Sequence, residues 1–297
     1  MSEQFNEIEK HYTVQYGNII TMLSQQTMSK LESCVIVKGG IRGRQAVAAD
    51  QIGEFQFAPV KQRLEDTPLY DINRDRRWYE FLMQRGGVPL DDIDDLRTTL
   101  DVKSPIVTAG MAGVNRAKDQ EILRGYYGPN KTGENGEKIV NFKPGNIIPF
   151  NFAGGDILKK LNRGIELFRQ GEVDYENEEV YQVVNSVAAT KLREAGVYVN
   201  ILTMDQKPLT GKKLTPYAGI TFVELEKVPF YMDGGKRVFK LPLFCKSGVG
   251  LGKWQDTKIR VGELQGKSYA WHVFMQFALG ATRLEEVKCL SNEVKED

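Results

Sequence analysis

Ser104-Pro105-Ile106-Val107-Thr108-Ala109-Gly110-Met111-Ala112-Gly113-Val114 opens the stretch on which the architecture turns. Ser followed by Pro is a helix start, with the Ser hydroxyl placed to accept from free amides and Pro lacking the amide that would go unpaired. Nothing interrupts the pattern before Gly128-Pro129. The spacing predicts a helix from Ser104 to Tyr127, roughly 35 Å long at the α-helical rise. Its faces differ. Val107, Met111, Val114 and Ile122 gather on one side, interrupted by Lys118. Ile106, Ala109, Gly110, Gly113 and Ala117 form a small-residue side where another backbone can come close. A helix covered on both sides is a central strut.

Upstream of the strut, residues 11 to 33 read as a helix, with Tyr12, Tyr16, Ile19, Ile20, Leu23 and Leu31 at helical spacing. Cys34 to Val37 is a short β-type run ended by Gly39-Gly40. From Ile41 to about Arg85 the chain turns basic, and Glu54-Phe55-Gln56-Phe57 shows the alternation of a strand. Too few apolar residues lie there to bury two faces, so the segment reads as an extended two-stranded arm. Exposed edges are a liability in a lone molecule and useful on a neighbour. Asp91-Asp92-Ile93-Asp94-Asp95 then precedes the strut.

Downstream, Lys131 to Gly155 reads as a Gly-rich loop with a short hairpin. Asp156 caps a helix through Gln170, with Ile157, Leu161, Ile165 and Phe168 on one face and Gly171 as its stop. A charged linker, Glu172 to Glu179, follows. The valines at 180, 183, 184 and 187 predict a helix to Ala195, ending at Gly196, and Val197 to Leu202 a buried strand. Further strands are expected at Phe222–Leu225, Val238–Phe244 and Tyr269–Phe277, with a last, more polar one at Ala281–Val294. No internal repeat is present.

Composition excludes several function classes. The 297 residues are 41% hydrophobic and 27% charged, as in a folded protein with a sizeable core. Lys plus Arg total 40 against 39 Asp plus Glu, so no global field favours nucleic acid or an anionic membrane. Cys34, Cys245 and Cys289 are odd in number and far apart, and read as buried small hydrophobes in a soluble protein of a reducing compartment. With only His11 and His272 and no Cys-x-x-Cys pair, no zinc site is expected. The first ten residues carry Glu3, Glu7 and Glu9 and do not form a signal peptide, and no apolar run reaches membrane-spanning length.

Catalytic and ligand motifs fail in detail. Gly248-Val249-Gly250-Leu251-Gly252-Lys253 imitates a phosphate loop, but Ser247 stands where the first Gly belongs and Trp254 where Ser or Thr belongs. It reads as a Gly-rich turn. The Asp91–Asp95 cluster lacks the spaced ligands and Gly of a calcium loop, and reads as an acidic surface that pairs with arginines. His272 sits on one face of a strand and reads as a surface or hydrogen-bonded core residue. No Gly-x-Ser-x-Gly elbow is present, so no catalytic residue, cofactor or metal ligand is expected.

Taken in order, several segments resemble the major capsid proteins of tailed bacteriophages with the Hong Kong 97-like fold, over nearly the whole chain. These are Leu23-Ser24-Gln25-Gln26-Thr27, Asp66-Thr67-Pro68-Leu69 before the basic Arg74 to Trp78, and the acidic Leu90 to Leu96 before the strut. Thr132-Gly133-Glu134-Asn135-Gly136 follows, then Lys246-Ser247-Gly248-Val249-Gly250-Leu251, Lys267-Ser268-Tyr269-Ala270 and Gly280-Ala281-Thr282-Arg283-Leu284-Glu285-Glu286. Leu202 to Thr221 departs, being short and Lys-rich where relatives often carry a helix.

The resemblance implies an α+β fold with an N-terminal arm (1–33), an extended β-hairpin loop (34–85), a peripheral domain with the strut as spine helix (86–176), an axial α/β domain (177–266) and C-terminal strands returning to the peripheral domain (267–297). It implies a structural subunit that self-assembles through pentamers and hexamers into an icosahedral shell around double-stranded DNA, with portal, scaffolding or decoration proteins as partners and no membrane. The virion capsid, assembled in the bacterial cytoplasm, would be its location. Arg42, Arg44, Arg63, Arg74, Arg76, Arg77 and Trp78, with Asp91, Asp92, Asp94 and Asp95, are the expected inter-subunit contacts. Deleting 41–85 is expected to leave a folded subunit unable to form shells. A cellular nanocompartment shell of the same fold and a nucleotide-binding α/β enzyme are the alternatives.

Overall fold

The structure, a computed structural model, describes residues 24–53, 55, 57–59, 69–90, 103–202, 214–264, 266 and 270–296. In chain order, β1 (Ile36–Lys38), β2 (Gln45–Ile52), β3 (Arg74–Glu80) and β4 (Leu82–Leu90) precede the strut α1 (Lys103–Tyr127), which begins one residue before the expected Ser. Then come the hairpin β5 (Asn130–Thr132) and β6 (Lys138–Val140), the short β7 (Ile147–Ile148) and helix α2 (Ile157–Gln170). Next are β8 (Val180–Val184), α3 (Ser186–Leu202), β9 (Ile220–Glu224), β10 (Phe230–Asp233) and β11 (Lys236–Cys245). The long strands β12 (Val249–Leu264) and β13 (Ala270–Arg283) and the final β14 (Cys289–Lys295) complete the chain.

Three sheets form. The first runs β1-β12-β13-β4, with β12, β13 and β4 antiparallel and β1 parallel to β12. Helix α1 lies across β13, and its small-residue side does what small residues allow. A Cβ on Gly125 would collide with the Ala281 backbone, and one on Gly110 with the Met275 side chain. The second sheet runs β7-β14-β11-β8-β9, with β10 also paired to β11. Here β8 and β9 are parallel and α3 lies in the connection between them, the βαβ arrangement that parallel pairing requires. Helix α2 behaves as its sequence predicts. The Asp156 carboxylate accepts from the amides of Leu158 (3.0 Å) and Lys159 (3.4 Å), Gly171 ends the helix, and Leu161 and Phe168 are buried. The third sheet, β2-β3-β5-β6, joins the arm to the hairpin after α1. One apolar cluster links the first two sheets, from Leu251, Val273 and Phe277 through Tyr126 to Leu243, Phe244 and Phe168.

Several expectations are corrected. Residues 11–23 of the predicted first helix lie outside the described residues, and 24–31 are not helical, leading only into a short 3-10 turn at Glu32–Cys34. The amides of Lys30 and Leu31 bond the Asp119 carboxylate instead of a preceding turn. Val180–Val184 is a strand and Val197–Leu202 helical, the reverse of the reading. A short apolar run fits a buried strand and a helix face equally, and here Asn185 decides, its Oδ1 accepting from Ala188 N at 3.0 Å to start α3 after it. Ala281–Val294 is not one strand, since the chain leaves β13 at Arg283 and turns before β14. The edge strand β10 went unread.

The largest correction concerns Gly248–Lys253. Apart from a single 3-10 turn at Lys246–Gly248, this segment starts the 16-residue strand β12, not a turn. Its glycines answer a packing need. A Cβ on Gly250 would strike the Tyr79 hydroxyl, and one on Gly252 would crowd Ile41 and the Tyr79 ring. The glycines therefore form a bed on which Tyr79, 1% exposed, lies flat.

Candidate assembly surfaces

The arm is a ladder of β2 against β3, running from Gln45 opposite Glu80 to Ile52 opposite Arg74, with a register shift between Val47 and Ala49. Its base is locked to the body by residues that alternate along β3. Tyr79 enters the glycine bed. Arg77 points inward, with Nε 3.3 Å from Gln51 Oε1 and Nη1 3.4 Å from the Glu286 carboxylate. Trp78, on the opposite face, donates to Gly133 O at 2.8 Å and lies against Gly136. Thus Thr132–Gly136 is a loop shaped around Trp78, with Gly133 and Gly136 at positive φ.

Asp75 fastens the same loop. Its carboxylate accepts from the Thr132 hydroxyl (2.6 Å), Gly133 N (2.9 Å) and Arg76 N (2.8 Å). Burial pushes the Asp75 carboxyl up, but these donors and the Arg77 charge outweigh it and hold the pKa below the ordinary carboxylate value.

Beyond the base, the arm has no cover among the described residues. Phe57 is 88% exposed and Leu69 94%, with Ile52, Phe55 and Tyr70 also open. Phe55 and Phe57 stack edge to face with centroids 4.9 Å apart, a small aromatic pair facing solvent. Singly exposed apolar residues need no explanation, but a cluster on one ladder makes a candidate contact surface.

The arginines separate by role. Arg42, Arg44 and Arg74 are exposed. Arg76 reaches Asp50 of the same arm at 2.5 Å and lies over the Trp78 ring at 5.8 Å. Arg77 is used inside the subunit. Arg63 and Asp91, Asp92, Asp94 and Asp95 lie outside the described residues.

Residues sequence reasoning passed over prove central. Arg283, fully buried, donates through Nε to both Glu286 oxygens (3.1 and 3.0 Å). Its other nitrogens reach the carbonyls of Tyr126, Gly128 (2.9 Å) and Val140 (3.0 Å), and its guanidinium lies over Phe142 at 5.3 Å. It is a cation at the C-terminal end of α1, where the helix dipole and free carbonyls favour one. Glu286, 5% exposed, receives both Arg283 and Arg77, and so joins the arm base to the strut. Both residues stood in the quoted Gly280–Glu286 segment, but nothing in their spacing revealed this partnership.

A second clasp holds the N-terminal strap on α1. Asp119, 1% exposed, accepts from Gln26 Nε2, Ser29 Oγ (2.6 Å), Lys30 N and Leu31 N (each 3.1 Å). Arg116 and Asn115 hold Gln25, Gln26 and Thr27. Glu32 bridges Lys118 (3.2 Å) and Lys253. Burial raises its carboxyl pKa, but the two lysines dominate and leave it lowered.

Nothing here assembles a catalytic centre among the described residues. The cysteines are buried free thiols, with burial pushing Cys245 up to about 12, far from a reactive thiolate. No cluster of His, Cys, Asp and Glu suits a metal among the described residues, and no described helix is long and apolar enough to cross a membrane.

Comparison with known proteins places this architecture. The sequence profile of the family described as phage capsid protein matches residues 8–296. The chain belongs to the phage capsid protein family. The capsid of the cyanophage P-SCSP1u superposes with a TM-score of 0.72 at 12% identity, over 98% of this chain and 95% of that one. The head structure of Helicobacter pylori bacteriophage KHP40 gives 0.71 at 9% identity, over 95% of each chain. The capsid of Ralstonia phage GP4 gives 0.70 at 10% identity, over 97% and 96%. No curated protein matches by sequence. This capsid protein therefore has the Hong Kong 97-like α+β fold, and its role is structural, in the capsid of a virion.

Proposed function

We propose that copies of this capsid protein close, as pentamers and hexamers, into an icosahedral shell around double-stranded DNA, each arm lying on a neighbouring subunit. The observation that carries the reading is the arm itself, rigidly based at Tyr79, Arg77 and Trp78 yet apolar and uncovered at Phe55, Phe57 and Leu69. Such a ladder gains its apolar contact only on assembly, and many such contacts in a closed shell reinforce one another. In this reading residues 1–33 are the N-terminal arm, 34–85 the extended loop, 86–176 with 267–297 the peripheral domain, and 177–266 the axial domain. Arg42, Arg44, Arg63, Arg74 and Arg76 meet acidic stretches of neighbours such as Asp91, Asp92, Asp94 and Asp95, whereas Arg77 and Trp78 serve the subunit's own arm base. Assembly takes place in the bacterial cytoplasm, and portal, scaffolding or decoration proteins of the virion are further partners.

Deleting all of 41–85 does not test this, because it removes Tyr79 and much of β4 from the body. The tip can be removed alone. Gly53 N donates to Asn73 O at 2.8 Å, so an Asn-Gly turn replacing 54–72 spans the gap. The shortened subunit should keep its circular dichroism spectrum and fail to form shells in negative-stain images. Closed shells of normal size would overturn the assignment of the arm.

A further inference from the structure

Lysines crowd one cavity outside every surface described so far. The cavity, of about 570 Å³, lies between α2, the turn joining β10 to β11, and the end of β14. Lys160 lines it from α2, Lys191 from α3, Lys236 from the start of β11 and Lys295 from β14. Lys160 is the unusual member. Only 2% exposed, its ammonium donates to the carbonyls of Phe150 (2.7 Å) and Glu293 (2.9 Å), leaving a third donor. Helix α2 does not supply the site with free amides, because its own cap, Asp156, takes them.

Each carboxylate around this cavity has a partner of its own. Asp233 pairs with the cavity's own Lys295 at 2.7 Å, the lining Glu296 takes Arg237, the Glu293 carboxylate accepts from Tyr231, and Asp156 holds Lys159 beside its cap bonds. Lys191 donates to the Lys295 carbonyl at 2.9 Å. With Lys295 matched by Asp233 and Glu296 by Arg237, Lys160, Lys191 and Lys236 leave an excess of positive charge around the hollow.

We propose that this cavity is an oxyanion site that takes free inorganic phosphate or a small phosphate monoester, held by Lys160, Lys191, Lys236 and Lys295. Lysines are compact point charges and bind phosphate as such. A small anion reaches Lys160 at the floor, whereas the phosphodiesters of a duplex meet only the rim. The protonation of Lys160 fits the same role. Burial, and then the Lys191 charge, lower its pKa to about 8, against the opposing pull of Glu293 and Asp156. A bound anion reverses that balance and draws a proton onto the amine.

The test is titration calorimetry of the full-length chain with inorganic phosphate, against chloride at equal ionic strength. Saturable phosphate binding is expected, weakened about tenfold or more by Lys160→Met and by the exposed-site variant Lys236→Ser, since each removes a charge-assisted contact. At pH 8.5, sulfate, which does not itself titrate there, should bind with uptake of protons, read by repeating the titration in buffers of different ionisation enthalpy. Lys160→Met should abolish that uptake. If Lys160→Met does not fold, Lys236→Ser and the wild-type proton uptake still decide. Phosphate binding no tighter than chloride, unchanged binding in the folded variants, or absent proton uptake would each overturn the site. A duplex oligonucleotide that displaces phosphate from the wild type and binds Lys236→Ser less well would overturn the choice of a free phosphate.

Discussion

Replacing Arg283 with Met keeps most of the side-chain volume while removing the charge, and so isolates what the guanidinium does. The variant leaves Glu286 buried with only Arg77, at 3.4 Å, for a counter-charge. It also strips donors from the carbonyls of Tyr126, Gly128 and Val140. Removing one partner of a buried ion pair costs about 3–5 kcal/mol. The orphaned carbonyls add about 1 kcal/mol each where water does not replace the donor. A loss of about 4–6 kcal/mol is a large part of the roughly 5–15 kcal/mol that holds a domain folded. Glu286→Gln should cost about 2 kcal/mol, because Arg283 keeps its carbonyls and can still bond the amide oxygen. The double variant should then lose less than the sum of the singles by about 2 kcal/mol, since no buried carboxylate is left with Arg77 alone. Urea unfolding of dissociated subunits, followed by far-ultraviolet circular dichroism, measures all three. A single-variant loss below about 1 kcal/mol, or strict additivity, would refute the claim that this ion pair ties the arm base to the strut.

Other consequences are more local. Phe57→Ser with Leu69→Ser should change subunit stability by no more than about 0.5 kcal/mol, as surface changes do, yet slow shell formation measured by light scattering; equal assembly kinetics would deny the tip its role. Gly250→Ala should cost about 1–3 kcal/mol of overpacking against the Tyr79 hydroxyl, and Tyr79→Phe in the same chain should recover part of it in the urea midpoint. Glu32, whose folded pKa lies below its ordinary 4.5, contributes stability that is present above pH 4.5 and lost as pH falls through the lower folded value. Wild type should therefore lose urea stability below pH 4.5 more steeply than Glu32→Gln, and parallel curves would remove Glu32 from the clasp.

What the sequence made legible were elements whose instructions are local. Asp156 and Gly171 state the ends of α2, and Gly128-Pro129 the end of α1. The basic arm was readable because a segment poor in apolar residues has no core to join. Where the reading failed, the deciding partner lay far along the chain. The glycines at 250 and 252 look like a turn until Tyr79, some 170 residues earlier, is seen lying on them. Val180–Val184 and Val197–Leu202 were exchanged because short apolar runs carry no period of their own and take their state from the sheet or helix that receives them. Arg283, Glu286 and Asp119 were invisible as a class. Charged residues usually face solvent, and only their burial, with partners from other elements, shows that they hold the subunit together.

The placement of those buried charges bears on how the shell works. Arg77 and Arg76 are neighbours on one strand, yet one is sealed against Glu286 and the other meets Asp50 at the surface. Strand alternation thus seals Arg77 and Tyr79 against the body and leaves the Arg76 guanidinium on the other side of the ladder. The fixing side is costly to disturb, while exposed pairs such as Arg76 with Asp50 contribute about 0–1 kcal/mol and exchange partners readily. On the proposed assembly, a neighbouring subunit would draw Arg76 from Asp50 with little penalty, while Arg77 keeps the arm's direction. Replacing Arg77 by Met should blur that direction, giving subunits that still associate but yield malformed particles alongside closed shells. Replacing Arg76 by Met should instead weaken association at low salt and leave particle shape unchanged. Electron micrographs of the two variants distinguish the roles, and identical particles from both would mean that strand alternation does not divide the arm's work.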